Sequence, residues 1–112
     1  MFLVLQNDGC VHAYGSPDEA AGAIGALDVE RAVWKAYDAE ARPYRVEWLE
    51  PNRYGKTVGF LKSEEGGTYR FAIAGPAEPD ALAEMLGEAR AVLPESARDG
   101  VRALAQRLGG RE

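Results

Sequence analysis

The sequence holds a single cysteine, Cys10, and a single histidine, His12. One cysteine cannot form an internal disulfide. The same scarcity excludes a metal site built from several Cys and His ligands. Serine occurs only at Ser16, Ser63 and Ser96. Any nucleophile–histidine pair must therefore use His12. No apolar run approaches the roughly 18 residues of a membrane span, so no membrane partner is expected. The opening Met-Phe-Leu-Val-Leu has no basic stretch before it and no small-residue cleavage motif behind it. A secretory signal is not expected, and a cytoplasmic location is. Repeats and low-complexity tracts are missing as well. Lysine and arginine are absent from residues 1–30.

What is present is a chain of 112 residues, 46% of them apolar. That is enough for one α+β domain over 1–112 with a core that needs no staples. The net charge of −5 is uneven: −5 over residues 1–30, +3 over 31–62 and −3 over 63–112. A basic middle inside an acidic chain does not fit a general nucleic-acid binder, although Arg42, Arg45, Arg53, Lys56 and Lys62 fall there. Arginine outnumbers lysine 10 to 3, and alanine is abundant. This composition points to a bacterial source.

Phe2–Gln6 and Cys10–Tyr14 flank Asn7-Asp8-Gly9, which predicts a hairpin with glycine at the left-handed position. Pairing Leu5 with Val11 and Leu3 with Ala13 makes one face wholly apolar. Phe2, Val4, Cys10, His12 and Tyr14 take the other. Ser16-Pro17-Asp18-Glu19 then predicts a helix start, with Ser at the N-cap, Pro at N1 and Glu at N3. Ala20, Ala23, Ile24 and Leu27 make its stripe. Gly22 and Gly25 imply either close backbone packing or a short, weak helix.

The middle predicts two hairpins. Val33–Asp38 pairs with Tyr44–Glu50, with Ala36 opposite Val46, Lys35 opposite Glu47 and Tyr37 opposite Arg45. Thr57–Lys62 pairs with Thr68–Ala74, with Phe60 opposite Phe71. Helical spacing over 80–93 and again over 96–108 predicts two final helices, separated at Pro94. The order is ββαββββαα: a largely antiparallel sheet with helices packed mainly on one face.

Few residues carry chemistry. Gly55-Lys56-Thr57 lacks the first glycine of a phosphate-binding loop, because Glu50 stands there. Cys10 and His12 are two apart on a strand, a spacing too long for an efficient thiol–imidazole pair. Glu64-Glu65 reads as a solvated hairpin tip. No catalytic residue, metal or cofactor is assigned, and an enzyme is not the favoured reading. The second face of the strand meander is more informative. It mixes aliphatic side chains with arginine and tyrosine, a composition found at protein interfaces. The expected binding surface is Tyr37, Arg45, Leu49, Arg53, Tyr54, Lys56, Leu61 and Arg70. The competing reading is a face covered by other elements. The hairpin, capped helix and meander resemble small bacterial proteins, immunity proteins of toxin systems among them, a likeness at the level of fold. The expected function is a non-enzymatic module that binds a protein partner or itself. The alternative is a small-ligand binder or enzyme with a pocket between sheet and C-terminal helices, lined by His12, Tyr14, Tyr44, Trp48 and Tyr54.

Overall fold

The structure is a computed structural model that describes residues 1–54 and 64–109. The chain folds as α+β, in the order β1 (Phe2–Gln6), β2 (Cys10–Tyr14), α1 (Pro17–Ala23), α2 (Ala26–Ala32), β3 (Val33–Asp38), β4 (Pro43–Glu50), β5 (Arg53–Tyr54), β6 (Glu64–Glu65), β7 (Thr68–Ile73), α3 (Pro79–Gly87), β8 (Ala91–Leu93), a 3-10 turn (Glu95–Ala97) and α4 (Arg98–Gly109). Six strands form one sheet in the order β7-β4-β3-β1-β2-β8, and β5 pairs with β6. Every pairing in the large sheet is antiparallel except β2 with β8.

The Phe-Leu-Val-Leu run becomes a central strand. Phe2, Leu3 and Val4 are 0% exposed, because β1 is covered on both faces and has no polar side to present. Its turn into β2 uses Gly9 at φ 89°. The Cys10 N–H donates to Asp8 Oδ1 at 2.9 Å, which closes the turn locally. The hairpin has the expected register, Leu3 with Ala13 and Leu5 with Val11.

The two sheet faces carry two separate cores. Leu3, Leu5, Val11 and Tyr37 pack with Leu82 and Leu86 of α3 and with Val101, Leu104 and Leu108 of α4. Phe2, Val4, Ala36 and Phe71 pack with Ala20 of α1 and Val29 of α2. Helices therefore lie on both faces, not mainly on one. The helix start at Ser16 is as expected: its Oγ accepts from the Glu19 N–H at 3.0 Å. The helix itself breaks at Ile24, which caps α1 in an extended conformation, and α2 restarts after Gly25.

The β3–β4 register differs from expectation by two residues. Ala36 faces Tyr44 and Tyr37 faces Pro43. A tight turn sets the offset. Ala41 has φ 64°, and buried Asp38 accepts the N–H groups of Glu40 and Arg42 on Oδ1, both at 3.0 Å. Parity is unchanged across this pairing, so Ala36 and Tyr37 keep their expected faces. Val33, expected by alternation on the side of Tyr37, instead packs with Phe2, Val4 and Ala36, because the β1–β3 register shifts between Leu5 and Gln6. The expected pairing partner of β7, residues 57–62, lies outside the described residues. The other long edge of β7 pairs with β4, setting Phe71 opposite Val46 and Arg70 opposite Glu47. The C-terminal expectation is also corrected. Residues 91–93 are not the end of a helix but β8, aligned parallel to β2 with Val92 beside Val11.

Candidate functional site

The helical layer of α3 and α4 stops at β3. No residue of β4 or β7 belongs to its core. On that side the outer sheet bears Arg45, Glu47 and Arg70. Arg70 sits opposite Glu47 and donates to its Oε1 through Nε at 3.0 Å and Nη2 at 2.6 Å. Arg45 Nη2 donates to Glu47 Oε2 at 3.3 Å. One carboxylate is thus held between two guanidinium groups that are themselves largely exposed. Beside them the pairing shifts between Trp48 and Glu50. Leu49 lies in that irregularity and is 59% exposed. The opposite side of the same strands is packed: Tyr69 contacts Phe71 and Trp48, and its hydroxyl donates to the Ile24 carbonyl at 2.7 Å.

Of the residues expected at a binding surface, Arg45, Leu49 and Arg70 fall together on this open half. Tyr37 does not. It is 1% exposed in the core under α3, and its hydroxyl donates to Glu78 Oε1 at 2.9 Å. The shifted register removes its expected place opposite Arg45. Arg53 is exposed, and its backbone pairs in β5, with Arg53 aligned to Glu65 and Tyr54 to Glu64. Lys56 and Leu61 lie outside the described residues, as does Gly55-Lys56-Thr57. Arg45 and Arg70 hold the Glu47 carboxylate, and the shifted β3–β4 register removes Lys35 from its expected place opposite Glu47.

Asn52 and Asp38 organise the surroundings of this face, and the sequence reading assigned neither a role. Asn52 Nδ2 donates to the Ala26 carbonyl at 3.1 Å and to Glu30 Oε2 at 2.8 Å, while its Oδ1 accepts from the Gly67 N–H at 2.8 Å. It ties the end of β4 to α2 and to the start of β7. Gly67 is needed there, since a Cβ would collide with the backbone of Glu50 and Pro51. Asp38 accepts from Arg42 Nε at 2.7 Å and from the Tyr44 hydroxyl at 3.2 Å. Burial pushes the Tyr44 phenol up, and its bond to Asp38 adds to this. The only sequence signal for either residue is a short polar side chain at a strand end.

The chemistry at the first hairpin is quiet. Burial pushes the Cys10 thiol up and Asp8 pushes it further, the reverse of what a nucleophile needs. Of the set expected to line a pocket against the C-terminal helices, Tyr14, Tyr44 and Trp48 lie on the other face of the sheet. Tyr44 packs edge-on to Phe2 at 5.0 Å, and Tyr14 packs against the α1–α2 core. Among the described residues, no group of three or more His, Cys, Asp or Glu side chains is placed to hold a metal ion. No described helix is long and apolar enough to cross a membrane.

A separate groove of about 650 Å³ runs between the end of α3, β8 and α4. Among the described residues its lining includes Arg90, Arg98, Arg102 and Gln106 and no acidic residue.

No family model, curated protein or solved structure matches this chain.

Proposed function

We propose that the chain is a non-enzymatic protein-binding module that acts through the open half of its sheet, and that its partner there is a second copy of itself. The observation that carries this reading is the Arg45–Glu47–Arg70 ladder with exposed Leu49, lying where the α3–α4 layer ends. Surface ion pairs of this kind are worth only about 0–1 kcal/mol each in water, so redirecting them to a partner costs little. A patch that carries both charge signs is self-complementary under a two-fold axis: an arginine of one copy meets the glutamate of the other. Leu49 supplies apolar area beside them.

The test is the mass of the protein in solution, followed over protein concentration and salt by light scattering. The expected result is a dimer that weakens as salt rises. Leu49→Asp is expected to give a monomer with an unchanged melting temperature, because its side chain is exposed. A monomer at every concentration overturns the proposal.

A further inference from the structure

Independently of the open sheet half, the groove between α3, β8 and α4 has the composition of an anion site. Helix α4 presents two stripes. Val101, Leu104 and Leu108 are buried in the core. Arg98, Arg102 and Gln106, spaced at i, i+4 and i+8, line the groove. Neighbours in such a row stand about 5–6 Å apart, so the row offers a line of donors roughly 12 Å long. Arg90 joins them from the link between α3 and β8. Its side-chain stem packs over Gly9, and its backbone N–H donates to the Gly9 carbonyl at 2.8 Å, which anchors the link to the first hairpin.

The charge pattern is against the average of the chain. Acids outnumber bases 18 to 13 overall, yet among the described residues the groove lining holds three arginines and no Asp or Glu. Among the described residues no carboxylate forms an ion pair with Arg90, Arg98 or Arg102; the Arg90 charge does reach Asp8, whose carboxyl is held low chiefly by the Cys10 N–H. Like charges facing one groove repel, and a bound anion relieves that repulsion. Gly87, Ala91 and Ala105 line the groove beside the larger Val92 and Val101. The groove volume falls in the range of small-molecule sites. Guanidinium groups bind phosphoryl oxygens in a bidentate manner. Among the described residues the lining contains no aromatic side chain to stack on a nucleobase.

We infer that this groove binds a small molecule carrying a diphosphate or two phosphoryl groups, through Arg90, Arg98 and Arg102, with recognition resting on the phosphates. The test is calorimetric titration of the full chain with inorganic pyrophosphate, repeated with sodium sulfate at equal ionic strength. Saturable one-to-one binding of pyrophosphate, well above that of sulfate, is expected. Arg98→Ala and Arg102→Ala should each weaken it about tenfold, the loss of one charge-assisted contact. Arg107→Ala is the control, because its guanidinium donates to the Ala39 carbonyl and lies outside the groove. It should leave the affinity unchanged. Circular dichroism of each variant separates loss of binding from loss of fold. ADP should bind no more tightly than pyrophosphate, and vesicles bearing phosphatidic acid should not outcompete it. Absence of saturable binding, or equal losses in the Arg107 and Arg98 variants, overturns the inference. A strong preference for ADP over pyrophosphate overturns the claim that recognition rests on the phosphates, and a preference for the vesicles overturns the assignment to a small molecule.

Discussion

Asp38 is the residue on which the β3–β4 turn depends. Its carboxylate accepts from two backbone N–H groups, the Arg42 guanidinium and the Tyr44 hydroxyl. Asp38→Ala leaves these donors without their acceptor inside a tight turn, and a loss of about 1–3 kcal/mol is expected in urea unfolding. Two tyrosines give the molecule an alkaline limit. Burial raises Tyr37 to about 12, helped by its bond to Glu78, and burial raises Tyr69 to about 12, helped by Tyr14. An unfolded tyrosine ionises near 10. The stabilisation from keeping these phenols neutral is fully present below pH 10 and is lost as pH rises through 12. An absorbance titration should therefore show both ionising together with unfolding. Tyr37→Phe combined with Tyr69→Phe should flatten the decline in stability between those values. Neither Asp38 nor these partners was legible in the sequence. A buried carboxylate is recognised by the donors that fold around it, and the Tyr37 partner lies 41 residues away in the chain.

At the scale of elements, local rules read well and offsets did not. The first hairpin and the Ser16 cap follow from contacts within a few residues, and both match the sequence pattern. Strand alternation placed Ala36 and Tyr37 of β3 and Arg45 and Glu47 of β4 on the right faces, but not Val33, which a register shift against β1 turns to the opposite core. It could not fix their offset, because a shift of two residues leaves every side chain on its own face. Residues 91–93 mislead for a different reason. Val92 and Leu93 continue the helical spacing of Leu82 and Leu86, but they are drawn into the sheet by β2, some 80 residues earlier. Tertiary pairing overrides periodicity there. Of the two glycines expected in the first helix, Gly22 lies in α1 and Gly25 precedes α2 as its N-cap. A Cβ at Gly22 would meet nothing within 4 Å, so no close packing requires this glycine. Gly22→Ala should stabilise the fold by about 0.5–1 kcal/mol, read as a higher denaturation midpoint with an unchanged slope.

For the whole molecule, the arrangement of layers decides which surface is free. α1 and α2 cover one face of the sheet, while α3 and α4 cover the other only as far as β3. Three of the expected surface residues, Arg45, Leu49 and Arg70, were legible because alternation places them on one side of β4 and β7. Tyr37 shares that side but sits under the helices, and sequence alone does not say how far a helical layer extends. The groove was missed because its arginines come from a helix face and a link that meet only once β8 joins the sheet. The central claim is that the Arg45–Glu47–Arg70 patch pairs with a second copy. A charge-swap experiment tests it most directly. Glu47→Arg makes the patch wholly positive; Arg45→Glu with Arg70→Glu makes it wholly negative. Light scattering of each variant alone, and of the equimolar mixture, is the measurement. The account predicts that each variant alone is a monomer and that the mixture forms a one-to-one dimer. Variants that dimerise as well alone as the wild type, or a mixture that stays monomeric, would contradict it.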